Sequence, residues 1–468
     1  MNSPNPPTIP VDPRLGVRLR AHGQQVSGWA VAAAAGKLLI ESLDDLPFVT
    51  ADVASLKIET CDADFATRVR PGQRHGQLDV ELTDPTQRQT FDALLASQRK
   101  IHHIEICQTR DVESSDRDNG LSDVAFMPRA LPGLDWDEID CSASFLGRTF
   151  RAPILITGMT GGVNEGRRIN HILARAAAEA GIPMGVGSQR LALEDTRYAP
   201  IFDVKKEVPG VFLIANIGAA QLASASSPEA ARTLCRAAVD MIQADALAIH
   251  INVLQELIQI EGDRNFRGVA ETIRVIAADF PVPVMVKEVG AGMDPQTALE
   301  LTQAGVDAID VGGRGGTSWG WIEGLRAKDP DVLEIATTFR DWGLTTGKAL
   351  RLARAALQDN QLKTGGTPSP ALVATGGIRT GLDVAKAVAL GASMTGIGLP
   401  LFRAALQAGS EGGQLAVGKK LSQLVRGLKT AMMCTGSRDL SGLRGALIDH
   451  SRNMTGVTHP VTTGGEMT

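Results

Sequence analysis

The chain has 468 residues, a net charge of −5 and 43% hydrophobic residues. Its length exceeds that of one typical domain, and its mild negative charge excludes the basic footprint of a nucleic-acid-binding protein. Five scattered cysteines without a CxxC pair, no apolar signal core and no apolar run long enough to span a bilayer predict a cytoplasmic protein that does not enter membranes.

The first 97 residues are expected to form an appendage. Residues 1–13 are Pro-rich and predict a disordered tail. Residues 14–97 alternate short apolar runs with polar breaks and end on a predicted helix, Pro85 to Ala96, which is typical of a small β-rich domain. Arg14 and Arg18 have the RxxxR spacing of PilZ domains, which this region loosely resembles. PilZ domains also have a polar D/N-x-S-x-x-G element, and only its glycine, Gly36, is present in this chain. A spacer or docking domain is therefore favoured over a cyclic-dinucleotide sensor.

A basic stretch follows the appendage. Arg99, Lys100 and His103 are suited to an anionic group such as a phosphate. Alone, such a group of residues is usually a solvated basic patch. The next segment, Asp111 to Asp123, is acidic, and we expect it to be mobile.

From residue 152 onward, apolar runs alternate with helical stretches. Five helices are predicted between the runs, over Asn164–Ala180, Pro228–Gln243, Gly268–Ala278, Pro295–Ala304 and Gly381–Leu390. Eight alternating units predict an α/β fold, a (β/α)8 TIM barrel over residues 98–450, with a doubly wound sheet as the alternative. The long gap from Thr317 to Pro370 must hold an extra helix or an active-site cover. Leu415 to Met433 is expected to be a final helix, and residues 451–468 a loose tail. The predicted strands are Pro153–Met159, Pro183–Gly187, Phe212–Ile217, Ala246–Ile251, Val282–Val286, Ala308–Val311, Ala371–Ala374 and Ser393–Gly398.

The end of the fourth strand has the richest polar pattern in the sequence. His250 and Asn252 alternate along the strand and therefore point the same way. Gln255 and Glu256 follow where the strand is expected to give way to a loop. The alternative for this group is a buried polar cluster followed by a solvated loop. Taken together, the four residues favour a functional site.

Other strand ends predict a flavin site. Glycine-rich ends after strands six, seven and eight allow backbone N–H groups to approach an anion, and the last two are the usual phosphate position of this fold. Lys287 could supply positive charge to an electron-accepting ring whose polar edge Thr160, Ser188 and Asn216 would bind. This pattern indicates FMN across the barrel mouth. The alternative for Lys287 is an internal ion pair with Glu288 or Asp310.

Several motifs resemble those of type 2 isopentenyl-diphosphate isomerases. They are RKxHHI, TGMTGG, VGSQR, ANIGA, VKEVGAGM and DVGGRGGTSW, and above all HINVLQE followed by EGDRNF. The likeness runs from about Arg99 to Met433. The resemblance implies interconversion of isopentenyl and dimethylallyl diphosphate with reduced FMN, Mg²⁺ and NADPH as the reductant. It also implies a homo-oligomer, a tetramer or an octamer.

The same resemblance implies roles for individual residues. Gln255, His250 and Asn252 would be catalytic, with Gln255 also binding substrate, and Glu256 would bind the magnesium ion. The residues implied to bind the diphosphate are Arg99, Lys100, His103 and Arg190, joined by Ser188, His250 and Asn252. The residues implied to bind FMN are Gly158, Met159, Thr160, Ser188, Asn216, Lys287, Thr317, Gly376, Gly377, Arg379, Gly398 and Leu399.

Two other functions remain as alternatives. One is an FMN-dependent oxidoreductase of the hydroxy-acid oxidase type, which would consume an electron acceptor stoichiometrically. The other is a regulatory protein with an N-terminal cyclic-dinucleotide sensor.

Overall fold

A computed structural model gives the architecture of the chain. It describes residues 9–10, 16–21, 24–34, 37–42, 51–58, 64–71, 77–84, 99–159, 164–327, 329–364, 369–407 and 409–449. The predicted helix Pro85 to Ala96 and the predicted tail 451–468 lie outside these residues.

The N-terminal region is a β-sheet, as predicted. Its strands pair in the order β1-β3-β2-β5-β6-β7-β4, and a further pairing of β3 with β4 closes six of them into a ring. On β7, Val80 and Leu82 are buried on one face, as strand alternation requires. The prediction of a tail over residues 1–13 was wrong for Ile9–Pro10, which pair with β3. The strands are β1 Ile9–Pro10, β2 Gly16–Ala21, β3 Gln24–Ala34, β4 Lys37–Ser42, β5 Ala51–Ile58, β6 Asp64–Pro71 and β7 Gln77–Leu82.

A connecting region precedes the main domain. The described part of helix α1 covers residues 99–109. Strand β8 (Val124–Phe126) pairs later with a strand near the end of the described chain, and strands β9 (Ala143–Phe145) and β10 (Arg148–Phe150) form a hairpin.

Eight parallel strands close into a barrel, which confirms the predicted fold over the doubly wound alternative. Closure is made by the pairing of the eighth barrel strand with the first, in the register Ile154 with Thr395. Each predicted run coincides with one strand because interior and helix-facing side chains are both buried, which makes parallel strands continuously apolar. The strands are β11 Ile154–Ile156, β12 Met184–Gly185, β13 Leu213–Gly218, β14 Ala246–Ile251, β15 Val284–Glu288, β16 Ala308–Asp310, β17 Ala371–Thr375 and β18 Met394–Ile397.

Helices surround the barrel. Five predicted helices are found with ends shifted by no more than one residue, and the final helix is longer than predicted. The long gap after β16 holds three helices rather than one, α9 to α11. The helices are α2 Asn164–Ala180, α3 Arg190–Glu194, α4 Ala219–Ala223, α5 Pro228–Ile242, α6 Val253–Ile258, α7 Val269–Ala277, α8 Pro295–Gln303, α9 Trp319–Arg326, α10 Pro330–Thr338, α11 Thr346–Thr364, α12 Gly381–Ala389, α13 Leu399–Ala405, α14 Gly409–Thr435 and α15 Leu440–Gly445, before strand β19 Leu447–Asp449.

One end of the barrel is plugged by the β9–β10 hairpin. Phe145 and Phe150 are buried against interior residues, and Phe150 meets Phe212 edge to face with ring centroids 5.2 Å apart. The opposite end, where the strands finish, is therefore the one available for chemistry. Among the described residues, no helix is both long and apolar enough to cross a membrane.

Candidate active site

Two adjoining cavities open at the carboxyl end of the barrel. They share Gly158, Met159, Lys287, Val289 and Trp319 along their common boundary. Together they are lined by every predicted site residue except Thr160, which lies outside the described part of the chain. The first cavity, which we call the substrate cavity, is lined by Arg99, Lys100, His103, Ser188, Arg190, Asn216, His250, Asn252, Gln255 and Glu256. The second, the flavin cavity, is lined by Thr317, Gly376, Gly377, Arg379, Gly398 and Leu399.

The polar motif after β14 folds as a helix, so the predicted loop was wrong. Asn252 precedes α6, and Gln255 and Glu256 lie on its first turns. The run from Val253 to Ile258 combines apolar residues with Gln and Glu, which lose little side-chain freedom in a helix. A rigid helix, rather than a loop, therefore positions both polar side chains.

Asn252 organises this motif. Its Nδ2 donates to Glu256 Oε1 (2.9 Å) and to Gln255 Oε1 (3.2 Å). The other carboxylate oxygen of Glu256 accepts the Asp263 backbone N–H at 2.9 Å. Asn252 Oδ1 is then left buried without a hydrogen-bond partner. A buried acceptor without a donor is costly, which indicates a bound group that satisfies it.

These oxygens fit a hard cation held mainly by its substrate. Each Glu256 oxygen accepts one hydrogen bond and keeps a further lone pair. Nowhere in the described ranges do three or more His, Cys, Asp or Glu side chains group as metal ligands. One carboxylate that leaves the remaining positions to phosphate and water oxygens is typical of Mg²⁺.

His250 is a neutral hydrogen-bonding group. Its Nδ1 lies 2.8 Å from Asn216 Oδ1, while Asn216 Nδ2 donates to the Val186 carbonyl at 2.9 Å. Since that bond fixes the amide, Oδ1 faces the ring, and His250 must carry its proton on Nδ1. Burial, together with the charges of Lys287 and Lys100, lowers the pKa of His250 to about 3. His250 therefore offers an acceptor nitrogen rather than a positive charge.

Glu323 on α9 is a site residue that the sequence analysis missed. Its side chain is fully buried, and Oε1 accepts from Gln255 Nε2 at 2.9 Å and lies 3.0 Å from His103 Nε2. Burial opposes its ionisation, but His103 and Arg326 hold the pKa of this carboxyl well below its usual range. The available signal was a lone carboxylate inside the apolar run Trp319 to Leu325, in the gap predicted to contain an active-site cover.

Three cationic side chains, those of Arg99, Lys100 and Arg190, line the substrate cavity beside carboxylates. Arg190 bonds Glu194 and Asp263, each at 2.9 Å. Burial and the neighbouring Arg99 lower the pKa of Lys100 to about 8. Burial also lowers the pKa of His103 to about 4, against the opposing effect of Glu323, so this imidazole is neutral near pH 7.

Glycines shape the flavin cavity. Gly376 has φ +117°, and a Cβ there would lie 1.9 Å from the Gly313 carbonyl oxygen. Gly377 has φ +70°, and its Cβ would lie 2.5 Å from the Gly315 carbonyl oxygen. The loops after β16 and β17 thus interlock backbone to backbone, which only glycine permits. With Arg379 also lining it, this cradle fits the phosphate of FMN.

Lys287 lies between the two cavities. It is 7% exposed, and its Nζ donates to the Glu288 carbonyl oxygen at 3.2 Å. The Asp310 carboxylate instead accepts from the Thr375 hydroxyl (2.8 Å) and the Gly312 N–H (3.2 Å). Burial raises the pKa of Asp310, and Lys287 opposes that shift. The ammonium of Lys287 therefore stays at the cavity boundary, where it fits an electron-accepting ring.

The acidic segment that begins at Asp111 is anchored, so the expectation of mobility was wrong. Asn119 Nδ2 donates to the Gly377 carbonyl (2.9 Å), and the Ser114 N–H donates to the Gly316 carbonyl (3.0 Å). Glu113 forms an ion pair with Arg379. The backbone of this segment thus forms a wall against the glycine loops of the flavin cavity.

Comparisons with known proteins agree with this geometry. A family model for FMN-dependent dehydrogenases matches residues 95–200 and 260–450. Two structures of one flavocytochrome b2 double mutant, one with pyruvate bound and one with sulfite bound, share the fold with TM-scores of 0.54 and 0.55 at 17% identity. They align over 82% and 81% of this chain and 92% of each of theirs. The fold and site therefore define an FMN-dependent barrel protein.

Relatives in sequence show which family of FMN-dependent barrel proteins the chain belongs to. An isopentenyl-diphosphate delta-isomerase of Nostoc sp. is 41% identical over 76% of this chain and 96% of its own length. The isomerase of Thermococcus onnurineus is 43% identical over 74% of this chain and 89% of its own. The chain belongs to the isopentenyl-diphosphate delta-isomerase family.

Proposed function

We propose that the chain interconverts isopentenyl diphosphate and dimethylallyl diphosphate, a 1,3-allylic isomerisation of isoprenoid biosynthesis. The observation that carries this proposal is that Gln255 and Glu256, on one helix, line a cavity that also contains Arg99, Lys100 and Arg190 and adjoins the flavin cavity. The same cavity therefore offers groups for an alkene and groups for a diphosphate.

The reaction requires a proton to be added at one alkene carbon and removed from another. Reduced FMN, when bound, would supply the acid/base group and stabilise the developing cation. Gln255 orients the alkene, because its amide is fixed between Asn252 and Glu323. Lys287 holds positive charge at the boundary of the flavin cavity.

The diphosphate is held away from the reacting carbons. Arg99, Lys100 and Arg190 line the cavity as its cationic partners, and Glu256 with Asn252 Oδ1 provides hard oxygens for Mg²⁺. Binding energy from this remote group positions the alkene and lowers the barrier of the chemical step. His250 and His103, both neutral, act as hydrogen-bond partners rather than as charges.

The finer parts of this proposal are Mg²⁺ as the metal, NADPH as the reductant, a cytoplasmic location and a homo-oligomer, a tetramer or an octamer. The resemblance of the motifs supports the metal, the reductant and the oligomer, and the five scattered cysteines support the location. Self-association is also supported by exposed apolar side chains on α6, on α10 and just after α10, namely Leu257, Ile335 and Trp342.

The decisive experiment is anaerobic. Purified protein, FMN, Mg²⁺ and a catalytic amount of reductant are mixed with isopentenyl diphosphate, and the allylic product is followed. We expect product only with reduced flavin and Mg²⁺, and no net loss of reductant. Bound flavin without product, or reductant consumed in step with turnover, would instead favour the hydroxy-acid oxidase type.

Two variants test the assigned roles. Gln255→Ala is expected to lower kcat by about 10²-fold or more while FMN stays bound. Glu256→Gln removes the charge that attracts the cation, so the Mg²⁺ concentration for half-maximal activity should rise at least tenfold. Normal activity in either variant would remove the motif after β14 from the mechanism.

A further inference from the structure

A buried arginine, Arg326 on α9, connects two acidic groups beside the substrate cavity. Its Nε donates to Glu323 Oε2 at 2.9 Å, and its Nη2 contacts both oxygens of Glu261, at 2.8 and 2.9 Å. Its side chain is 11% exposed. Arg326 lines neither cavity, so it acts on the reaction only through these two carboxylates.

The first carboxylate, Glu323, orients the Gln255 amide at the reacting end of the site. Glu323 Oε1 accepts from Gln255 Nε2, and Gln255 Oε1 accepts from Asn252 Nδ2. These two bonds fix which end of the Gln255 amide points which way. An amide can rotate to exchange its donor and its acceptor, so a permanently ionised Glu323 is what selects one orientation.

The second carboxylate, Glu261, orients Arg99 at the diphosphate end of the site. Glu261 Oε1 lies 3.4 Å from Arg99 Nη1. Gln259, in the amide orientation that satisfies its neighbours, accepts from the same Arg99 nitrogen (2.8 Å) and donates to Glu323 Oε1 (3.2 Å). The arginine that would hold the diphosphate is therefore aimed by the network to which Gln255 belongs.

We infer that Arg326 is a positioning residue for the isomerisation, which aligns Gln255 through Glu323 and Arg99 through Glu261. The inference rests on the proposed function. A guanidinium is needed because Nε and Nη2 reach two carboxylates in one plane, whereas a lysine offers a single point of charge.

The charges around Glu323 agree with this assignment. From α1 it faces His103, Arg99, Lys100 and Cys107, and from its own helix it faces Arg326. From α6 and the residues that follow, the neutral amides of Gln255 and Gln259 reach it. His103 is neutral near pH 7. Arg326 is therefore the permanent positive charge in direct contact with Glu323, and it keeps this carboxylate ionised.

The test compares Arg326→Met and Arg326→Lys with Arg168→Met. Arg168 is a matched control, because it also pairs with a glutamate three residues earlier on its helix but lies on α2, away from both cavities. We expect Arg326→Met to lower kcat about 10²-fold and raise KM about tenfold, with Arg326→Lys in between and the control unchanged. FMN content per folded protein should stay near wild type, while Tm should fall because the two carboxylates lose their buried partner.

The pH profile separates positioning from a merely structural role. Without Arg326 the pKa of Glu323 rises, and a protonated Glu323 no longer requires a donor from Gln255. The kcat of Arg326→Met should then fall as pH decreases from 7 to 5, an acid limb that wild type lacks. Arg326→Met with the kinetics of the control, or with losses that only follow loss of folded protein, would overturn the inference.

A second variant keeps the test decisive if Arg326→Met is unstable. Glu261→Gln removes only the Arg99 branch, so KM should rise about tenfold while kcat changes little. Calorimetric titration with inorganic diphosphate and Mg²⁺ should show the same loss of affinity without turnover. Unchanged affinity would refute the coupling through Glu261, whereas an inactive wild type would refute the proposed function and leave this binding test intact.

Discussion

Lys100 gives the site an alkaline limit. Burial and Arg99 lower its pKa to about 8, so the free enzyme loses this positive charge as pH rises through 8. Since kcat/KM reports ionisations of the free enzyme, we predict that it falls by about tenfold per pH unit above that value. Initial rates from pH 6.5 to 9.5 at constant ionic strength provide the measurement.

Lys100→Arg is the informative control for this prediction. A guanidinium remains charged throughout the range, so the alkaline limb should move beyond pH 9.5 even if the maximal rate is reduced. Lys100→Met should be impaired at every pH and show no such limb. An unchanged limb in Lys100→Arg would assign it to another group.

At the scale of single residues, the sequence predicted side chains that lie at strand ends. His250 lies on β14 and Asn252 directly follows the strand as the N-cap of α6, and both line one cavity. Glu323 and Arg326 could not be predicted in the same way. They lie some 70 residues further along the chain, on a helix whose docking against α1 and α6 depends on tertiary packing. Only the structure shows that Gln255 has an ionised partner.

At the scale of elements, the glycine loops after β16 and β17 make a testable pair. Gly376→Ala places a Cβ 1.9 Å from the Gly313 carbonyl oxygen at φ +117°. Two backbone segments would have to separate, so we expect FMN to be lost and the free energy of unfolding to fall by at least about 2 kcal/mol. Flavin absorbance after gel filtration and urea titration measure the two effects.

Gly305→Ala separates the cost of backbone conformation from that of the clash. Gly305 has a similar positive φ, +83°, but nothing lies within 4 Å of its Cβ position. This variant should lose about 1 kcal/mol of stability and keep its flavin. If both variants lost flavin equally, the positive φ of the glycine, and not the clash between the interlocked loops, would be the cause of flavin loss.

Elements were predictable where one physical pattern dominated. Continuous apolar runs located all eight barrel strands, and helices α5 and α8 begin at the predicted residues, Pro228 and Pro295, each after a capping side chain. The segment from Asp111 was misjudged because its acidic composition resembles a solvated loop. Its partners Gly316, Gly377 and Arg379 lie more than 200 residues away, so no local pattern could reveal them.

At the scale of the whole molecule, the appendage and the barrel pose separate questions. The Nostoc isomerase aligns over 96% of its own length with only 76% of this chain, and the matched family model begins at residue 95. The barrel places its chemistry at the strand ends, and every described site residue lies in residues 99–399. The catalytic groups are thus supplied without residues 1–97.

We therefore predict that a chain starting at residue 98 keeps its FMN and a kcat within about threefold of the full chain, since domains with their own core fold and act independently. The measurement pairs the anaerobic isomerase assay with light scattering on both chains. Full-length protein titrated with a cyclic dinucleotide should show no change in rate. A rate that responds to the dinucleotide only when residues 1–97 are present would restore the sensor hypothesis. A truncated chain that keeps its flavin but changes its subunit number would assign the appendage to assembly.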